Sequence, residues 1–398
     1  LDHDKKLYLS GISNNNFSII LDNTYKIKDY NYNFSGMIEE SKFELFKPGL
    51  KYNTNDFPDK LNIIFLGNED NEKQRNVLNG IISNYYFYKN TSDYAPELRI
   101  VNLTNLEKPI KCKLEDTDSF SIVLILDKSL TNFSTKCIKK LSGLIDLLVS
   151  TETSNQIGRK NLKTIYINRN DDIINLLAYA NKNDRKNTLI IDDSITKDRL
   201  FIEEYWKQIG GTTIKSTTIN ESTRNEDLLS EILLIKESNN RARRLSRAIS
   251  LPVEHVPRRR ADIDSILLSV DLLQARTLKP AIDYNFAESI EVYVIPNWES
   301  EEIFYELERD LEDTLIIDMP FMLNAYVPFI DLELVKRNRY FAIGNDAFEL
   351  ALLLNSKQKN KAEFIGMTGR ISIRPNGQLS RKSLKVKILD GKLKSLSF

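Results

Sequence analysis

Histidine and cysteine are scarce in this sequence, with two residues of each among 398. His3 lies near the first residue and His255 lies in a loop beside Pro257, so neither has the partner motif that general acid–base or triad catalysis needs. The Gly-x-Ser-x-Gly, His-Glu-x-x-His, Walker and glycine-rich dinucleotide motifs are also absent. We therefore expect a protein that is not an enzyme and that binds no cofactor.

The two cysteines, Cys112 and Cys137, match no zinc-binding or thioredoxin spacing. Two interpretations stay open for them. In an oxidising compartment they could form a disulfide, which would contribute about 3 kcal/mol to the free energy of unfolding in the chain-entropy model. Alternatively, each is a separate, half-buried residue that packs as a small apolar side chain.

Adjacent carboxylates occur at Asp171-Asp172 and at Asp192-Asp193. Such pairs can bind a metal ion, but carboxylates also accept hydrogen bonds from the free amides at the start of a helix. The first pair is typical of a helix N-terminus, and the second pair is typical of a loop between a strand and a helix. We predict no metal site at either pair.

Long apolar runs are missing as well. No window approaches the roughly 18 unbroken apolar residues that a membrane-spanning helix needs. The 56 basic and 56 acidic side chains give a formal net charge of zero, which removes the long-range field of a dedicated nucleic-acid-binding protein. A chain of 398 residues exceeds the size at which a single core stops growing, so two lobes are expected.

Short apolar runs alternate with helical patterns in the last third of the chain. Residues 264–270 predict a strand that is buried on both faces, and residues 290–295 predict another, which Pro296 ends. Between them, apolar residues recur at helical spacing over 272–286. A strand, a helix and a strand in this order predict a β-α-β unit.

The same alternation extends upstream. Further strands are predicted at 61–66, 98–103, 120–126, 162–167, 188–193 and 212–219. Helices are predicted at 71–86, 171–181 and from 196 to the glycines at 210–211, and another through Cys137, Ile138, Leu141, Leu144 and Ile145. The pattern indicates an α/β fold of parallel sheets flanked by helices, after a polar stretch with short strands at 17–21 and 43–46.

Five fragments of the C-terminal third carry a resemblance to a known family. They are 260–268, 274–280 with Phe286-Ala287, 318–320, 341–347 and 367–372. In this order and spacing they resemble the C-terminal domain of the LpoA family, also called LppC, whose members are outer-membrane lipoproteins that activate class A penicillin-binding proteins from the periplasmic side. The turn at 366–369 and the glycines at 377 and 391 resemble the terminal hairpins of branched-chain amino-acid receptors.

The resemblance implies a two-lobed, type I periplasmic binding protein-like α/β fold with a short N-terminal extension. The extension would take residues 1–59, and the periplasmic-binding-protein-like domain would take 60–398. Lobe one would cover about 60–185 plus a C-terminal return, and lobe two about 186–320. In enterobacterial members an array of helix pairs precedes this domain. Residues 1–59 are too short and too weakly helical for it, so we expect a fragment or a reduced member.

Within the matching fragments, two short motifs predict structure rather than chemistry. Residues Asn345-Asp346-Ala347 are expected to cap a helix that continues through Leu350, Leu352 and Leu353. The glycines at 366 and 369 are expected to shape a hairpin turn.

Ligands of parallel α/β sheets bind beyond the carboxyl ends of the strands. Asp192 lies at one such end, that of the strand predicted at 188–193. The residues that this rule places toward a cleft are Asn68, Asp127, Ser150 and Thr151 in lobe one, and Asp193, Ser269, Asp271, Asn297 and Trp298 in lobe two.

The one marked charge cluster contains Arg241, Arg244, Arg247, Arg258 and Arg259. It could be a docking surface for an acidic partner, lipid headgroups or nucleic acid. The alternative is the solvated end of a helix, where cations complement the helix dipole, followed by a basic loop. Nucleic acid is disfavoured because no aromatic residues for base stacking are interleaved with the arginines.

The resemblance implies a non-catalytic lipoprotein of the periplasm, anchored to the inner face of the outer membrane. Such a protein binds and activates a class A penicillin-binding protein and so regulates peptidoglycan synthesis. Because the sequence begins at Leu1 without a signal or a lipobox, we expect the lipid anchor to lie outside it. The alternative is a periplasmic solute receptor for an amino acid or a similar small molecule, which would close around its ligand.

Overall fold

The computed structural model describes residues 18–20, 57–66, 72–91, 96–102, 120–125, 145–150, 163–166, 169–193, 198–219, 224–297, 308–323, 338–356, 363–373 and 379–397. His3, Cys112, Cys137 and the predicted strand at 43–46 lie outside the described residues, and what was expected of them stays a prediction. In the part of the chain that is described, no helix is long and apolar enough to cross a membrane.

Helices and strands alternate along the described chain. The helices are α1 (Glu72–Thr91), α2 (Arg169–Lys182), α3 (Arg199–Gln208), α4 (Asn225–Ile232), α5 (Ile235–Ile249), α6 (Leu272–Ile282) and α7 (Arg339–Asn355). The strands are β1 (Ser18–Ile20), β2 (Lys60–Leu66), β3 (Glu97–Asn102), β4 (Phe120–Ile125), β5 (Ile145–Ser150), β6 (Lys163–Tyr166), β7 (Asn187–Asp193), β8 (Thr212–Ile219), β9 (Ser265–Ser269), β10 (Glu291–Val294), β11 (Leu315–Asp318), β12 (Glu363–Gly366), β13 (Gly369–Ile373), β14 (Leu379–Lys382), β15 (Leu384–Leu389) and β16 (Lys392–Ser397).

The chain divides into two compact units, neither of which is continuous in sequence. Among the described residues, unit 1 holds those between 18 and 166 and those from 319 to 382. Unit 2 holds those from 169 to 318 and those from 383 onward. The predicted extension (1–59), domain (60–398) and lobe limits stay predictions.

Unit 1 is built on a six-stranded sheet in the order β1-β3-β2-β4-β5-β6. All neighbours are parallel except β1, which runs antiparallel to β3. Strand β5 begins at Ile145, so the helix predicted through Cys137, Ile138, Leu141, Leu144 and Ile145 was wrong at its last residue. The other residues of that helix lie outside the described residues. A separate three-stranded antiparallel sheet is formed by β12, β13 and β14.

Helices α1 and α7 of unit 1 cross at very short range. A Cβ atom on Gly80 would overlap the backbone oxygen of Phe341, and one on Gly344 would overlap the backbone oxygen of Val77. Glycine at both positions is therefore what lets the two backbones touch. The crossing brings the rings of Tyr85 and Tyr88 within about 6 Å of the Phe348 ring, at 6.2 and 6.0 Å between centroids.

Asp346 lies in the middle of α7 rather than at its start, so the predicted helix cap at 345–347 was wrong. The helix begins after Asn338, whose side chain accepts a hydrogen bond from the Tyr340 amide at 2.7 Å. The buried Asp346 carboxylate instead accepts hydrogen bonds from the amides of Met367 and Thr368, both at 2.7 Å. It therefore holds the turn between β12 and β13, and its burial raises its pKa to about 6.

Unit 2 is built on a seven-stranded sheet in the order β16-β15-β11-β10-β9-β7-β8. The five strands from β11 to β8 are parallel, and β15 and β16 add an antiparallel edge. Every residue of β9 is buried, as expected for a strand covered on both faces. Helices α2 and α3 pack on one face, where Trp206 is fully buried.

The predicted fold class is confirmed: the protein is an α/β protein with mainly parallel sheets flanked by helices. Most predicted elements are present with small shifts at their ends. The helix predicted over 272–286 ends at Ile282, and the chain continues through a kinked turn, Asp283–Ala287, in which Asn285 and Phe286 leave helical backbone angles.

Candidate functional site

Three of the predicted cleft residues meet at the carboxyl ends of the unit 2 strands. Asp193 ends β7, Ser269 ends β9 and Asn297 follows β10. All three side chains are buried. They meet because β9 lies between β7 and β10, so that the three strands end at the same edge of the sheet. The Asn297 side-chain amide donates to a carboxylate oxygen of Asp193 at 3.5 Å, which is the long limit for a hydrogen bond.

Arg169, the first residue of α2, fills the middle of this edge. Its guanidinium donates to the Ser269 hydroxyl at 3.1 Å and to the backbone oxygen of Ile295 at 2.6 Å. Its Nη1 atom lies 2.5 Å from the carboxylate of Asp198, and both side chains are largely buried. Burial raises the pKa of Asp198, although the charge of Arg169 lowers it.

A second polar chain occupies the outer part of the same edge. Arg199 donates to the Thr218 hydroxyl at 2.8 Å, and that hydroxyl donates to Asp192, also at 2.8 Å. Arg199 and Asp192 approach to 4.0 Å. Burial is the main cause that raises the pKa of Asp192. Most polar contacts of the charged groups at this edge are thus made with neighbouring groups of the protein.

Asp271 and the first carboxylate pair stabilise helices. The Asp271 side chain accepts a hydrogen bond from the Gln274 amide at 2.7 Å and so caps α6. Asp171 and Asp172 lie in the first turn of α2, where the sequence predicted them. Within the described residues, no group of three or more histidine, cysteine, aspartate or glutamate side chains is arranged to hold a metal ion.

The remaining cleft candidates are Asn68, Asp127, Thr151 and Trp298, which lie outside the described residues. Ser150 is the last residue of β5. The roles of these five residues in a cleft stay predictions. Sequence reasoning missed Arg169 and Asp198 altogether, because no motif surrounds either residue. The only local signal is that each one stands at the start of a helix that follows a predicted strand.

The predicted arginine cluster forms a second candidate site, which we call the cationic arm (residues 235–260). Helix α5 runs outward from Ile235, and the chain returns along it without regular structure. The sequence expectation of a solvated helix followed by a basic loop agrees with this arrangement. Arg241, Arg244 and Arg247 are exposed on the helix, and Arg258 is exposed on the return segment.

Hydrogen bonds hold the return segment on α5. The Arg258 amide donates to the Ser238 hydroxyl at 3.1 Å, and the Ser246 hydroxyl donates to the Leu251 backbone oxygen at 2.6 Å. His255 shares a 2.8 Å hydrogen bond with Asn239. The arm is therefore an ordered projection, and His255 serves its packing.

Arg259 and Arg260 secure the base of the arm. Arg259 donates to the backbone oxygen of Phe286 at 2.9 Å. Arg260 makes a two-pronged ion pair with Asp262, with both hydrogen bonds at 2.7 Å. That pair raises the pKa of Arg260 and lowers the pKa of Asp262. Arg259 thus differs from the other predicted surface arginines, because its guanidinium is already engaged.

Comparisons with known proteins agree with this fold. A sequence model of the family described as LppC putative lipoprotein matches residues 199–385. No curated protein matches the sequence. Among solved structures, the C-domain of LpoA from Haemophilus influenzae, described as a regulator of PBP1A, is 13% identical with a TM-score of 0.57, and the match covers 85% of this chain and 99% of that one.

Two further structures are similar at the same level. Full-length LpoA from Haemophilus influenzae is 13% identical with a TM-score of 0.60, over 86% of this chain and 60% of that chain. A putative branched-chain amino acid ABC transporter from Chromobacterium violaceum is 16% identical with a TM-score of 0.55, over 82% of this chain and 99% of the other. This chain thus spans about three-fifths of full-length LpoA. The predicted resemblance is confirmed: residues 199–385 match the LppC family, and the fold is the type I periplasmic-binding-protein-like fold of the LpoA C-domain.

Proposed function

We propose that this protein is a non-catalytic regulator of the cell envelope that binds and activates a class A penicillin-binding protein. It would act in the periplasm, anchored by a lipid to the inner face of the outer membrane, with residues 60–398 as its binding-protein-like domain. The match of residues 199–385 to the LppC family supports this role. The similar LpoA C-domain is described as a regulator of PBP1A, which supports the choice of partner.

The internal pairing at the strand ends of unit 2 is the observation that carries the proposal. In a solute receptor, polar groups at this edge are kept for the ligand. Here Arg169 is already bonded to Ser269, Ile295 and Asp198. A ligand that displaced these contacts would leave buried charges without partners, which costs several kcal/mol. A regulator of another protein needs a surface that binds that protein. It needs no small-molecule ligand at this edge of the sheet.

The test is affinity capture from detergent-solubilised envelope of the source organism, with the purified chain as bait. We expect specific enrichment of one class A penicillin-binding protein over a solute-binding protein of the same fold used as control bait. The captured synthase is then assayed for glycan polymerisation and crosslinking with and without the chain. Enrichment without any change in either rate would contradict activation, and no enrichment would contradict binding.

A solute receptor is the second candidate. The buried pair of Asp193 and Asn297 at the strand ends favours it, because ligands of parallel α/β sheets bind beyond the carboxyl ends of the strands. A thermal-shift screen with amino acids and related metabolites tests this candidate. Ligand at one hundred times its dissociation constant should add about 2.7 kcal/mol to the free energy of unfolding. If no compound of the panel raises the unfolding temperature, the solute-receptor function is contradicted.

A further inference from the structure

The cationic arm is made almost entirely of one kind of cation. The chain has 35 lysines and 21 arginines, yet residues 241–260 hold seven arginines and no lysine. Arginine presents a planar fork of donors that binds carboxylates with two parallel hydrogen bonds, whereas lysine acts as a point charge. The composition of the arm therefore favours recognition of carboxylates over general solvation.

Four arginines of α5 are exposed to solvent. Arg241, Arg243, Arg244 and Arg247 make no ion pair or hydrogen bond with another described side chain. Arg243 and Arg247 are four residues apart, and Arg244 lies beside them, so these three form one ridge on the helix. Ser238 and Ser246, which lie outside the ridge, bond to the return segment. The return segment therefore leaves the ridge exposed to solvent.

Apolar side chains accompany the arginines at the tip of the arm. Leu245 and Ile249, again four residues apart, are 52% and 49% exposed. Leu251, which follows the helix, is exposed as well. Exposed apolar side chains that cluster within a polar or charged rim are one mark of a protein-interaction site.

A second exposed group lies at the turn after α6, which we call the aromatic turn (Asp283–Ala287). Tyr284 is 80% exposed and Phe286 is 45% exposed, while Asn285 and Ala287 between and after them are buried. The Asn285 side chain donates to the backbone oxygen of Ala281 at 2.7 Å. Phe286 has a positive φ of 60°, which is costly for a bulky residue. The turn therefore holds two rings outward at an energetic cost.

Arg259 connects the two groups. Besides its bond to the Phe286 backbone oxygen, it donates to the Ser289 hydroxyl at 3.1 Å. The base of the cationic arm is thus fixed against the aromatic turn. The aromatic turn consequently lies next to the segment from which the arm with its exposed arginines extends.

We propose that the cationic arm and the aromatic turn form one docking surface for an acidic face of a protein. This deepens the proposed function and rests on it: the acidic face belongs to the periplasmic part of the class A penicillin-binding protein. Charge complementarity selects an acidic partner, because residues 235–260 carry eight cationic side chains against two glutamates in a chain of zero net charge.

A protein fits this surface better than a lipid bilayer does. A helix that lies in a membrane surface needs a continuous apolar face along its length. The exposed large apolar side chains of α5 are confined to Leu245 and Ile249 near its end. Tyrosine, phenylalanine and arginine are the residue types enriched in protein interfaces, and tyrosine and arginine are common where single side chains dominate the binding energy.

The experiment measures the dissociation constant of the purified chain for the purified synthase at two salt concentrations. Variant one is Arg241→Glu with Arg244→Glu and Arg247→Glu. Its matched control, which reverses three exposed cations elsewhere in unit 2, is Lys207→Glu with Arg224→Glu and Arg309→Glu. We expect variant one to weaken binding about 100-fold or more and the control to change it less than about 3-fold, with unchanged circular dichroism for both.

Two further variants separate charge from shape. Arg241→Lys with Arg244→Lys and Arg247→Lys keeps every charge, and we expect it to weaken binding about 10-fold because two-pronged hydrogen bonds are lost. Tyr284→Ser should also weaken binding about 10-fold, with folding intact because the ring is exposed. Equal weakening by variant one and its control would overturn the docking surface.

The outcomes distinguish the docking surface from the function on which it rests. If the unmodified chain binds the synthase and variant one binds equally well, the docking surface is wrong and the proposed function survives. If the unmodified chain does not bind any class A synthase, the proposed function itself fails. The last outcome concerns phosphatidylglycerol vesicles. If the unmodified chain binds them, variant one does not, and both bind the synthase equally well, the surface binds a membrane and the protein partner is contradicted.

Discussion

Unit 2 uses arginine in two contrasting ways. At the strand ends, Arg169 is buried and bonded to a hydroxyl, a backbone oxygen and a carboxylate. On the cationic arm, Arg241, Arg244 and Arg247 are exposed and unpaired among the described side chains. A buried charge must be satisfied inside the protein, whereas an exposed one is satisfied by water until a partner replaces it. The first set should therefore govern stability, and the second set should govern binding.

Removing the buried arginine should have the largest effect. We expect Arg169→Met to lower the free energy of unfolding by about 3–5 kcal/mol, because Asp198 is left buried without its cation. Urea unfolding followed by circular dichroism measures the change. Adding Asp198→Leu to the first substitution removes the stranded charge and should restore most of the loss. If Arg169→Met costs less than about 1 kcal/mol, the strand-end pair does not stabilise the fold.

The comparison extends to unit 1, where a half-buried carboxylate has no such cation beside it among the described residues. Glu349 accepts a 2.5 Å hydrogen bond from the Tyr88 hydroxyl, and burial raises its pKa to about 7. A group whose pKa is higher in the folded state binds its proton more tightly there. Its contribution to stability is complete below about pH 4.5 and is lost as the pH rises through 7.

We therefore expect Glu349→Gln to be neutral at pH 5 and to stabilise the protein by roughly 2–3 kcal/mol at pH 8. The measurement is the free energy of unfolding of both proteins at the two pH values. Asp346, whose charge helps to raise the pKa of Glu349, is present in both proteins. The same stability difference at pH 5 and at pH 8 would show that Glu349 is ionised throughout this range.

The capping residue Asp271 should have an intermediate effect. Asp271→Ala removes the hydrogen bond to the Gln274 amide and should cost about 1 kcal/mol, with Asp271→Asn retaining most of the stability. Thermal unfolding of the two variants measures this. A shift in ligand binding with no loss of stability would instead place Asp271 in a ligand site.

The arm should contribute least to stability. The triple glutamate variant of Arg241, Arg244 and Arg247 should lower the free energy of unfolding by about 1 kcal/mol or less, because exposed charges have small effects and only Arg247 lies in the last turn, where a cation complements the helix dipole. Urea unfolding of this variant and of Arg169→Met under the same conditions measures the difference between the exposed and the buried arginines. A loss of about 2 kcal/mol or more would mean that the arm supports the fold and that its arginines are not free for a partner.

Elements with a strong local pattern could be predicted from the sequence. Strand β8 has the predicted limits, because its threonines and isoleucines favour strands and Gly210-Gly211 precede it. Strand β9 lies within the predicted 264–270, because a continuous apolar run flanked by polar residues has few alternatives. Strand β5 was missed because Leu144 and Ile145 continue the helical spacing that starts at Cys137. Its strand conformation is set by pairing with β4 and β6, and such pairing has no local signature.

The site was harder to predict than the fold for the same physical reason. The partners of Arg169 at the sheet edge lie 100 and 126 residues along the chain, so nothing near residue 169 reveals them. Asp346 was mistaken for a cap because a carboxylate in a helix interior is uncommon, and the turn that it holds begins 21 residues later. Asp193, Ser269 and Asn297 could be found, because each directly follows or ends a recognisable strand.

The antiparallel edge of the unit 2 sheet has a consequence for the order of events during folding. Strand β11 pairs with β15 along its full length, but residues 319–382, which belong to unit 1, lie between them in the chain. Until β15 has docked, β11 presents an open row of amides and carbonyls, the kind of edge on which chains aggregate. We therefore expect substitutions in β15 to reduce the yield of folded protein more than they reduce the stability of the finished molecule.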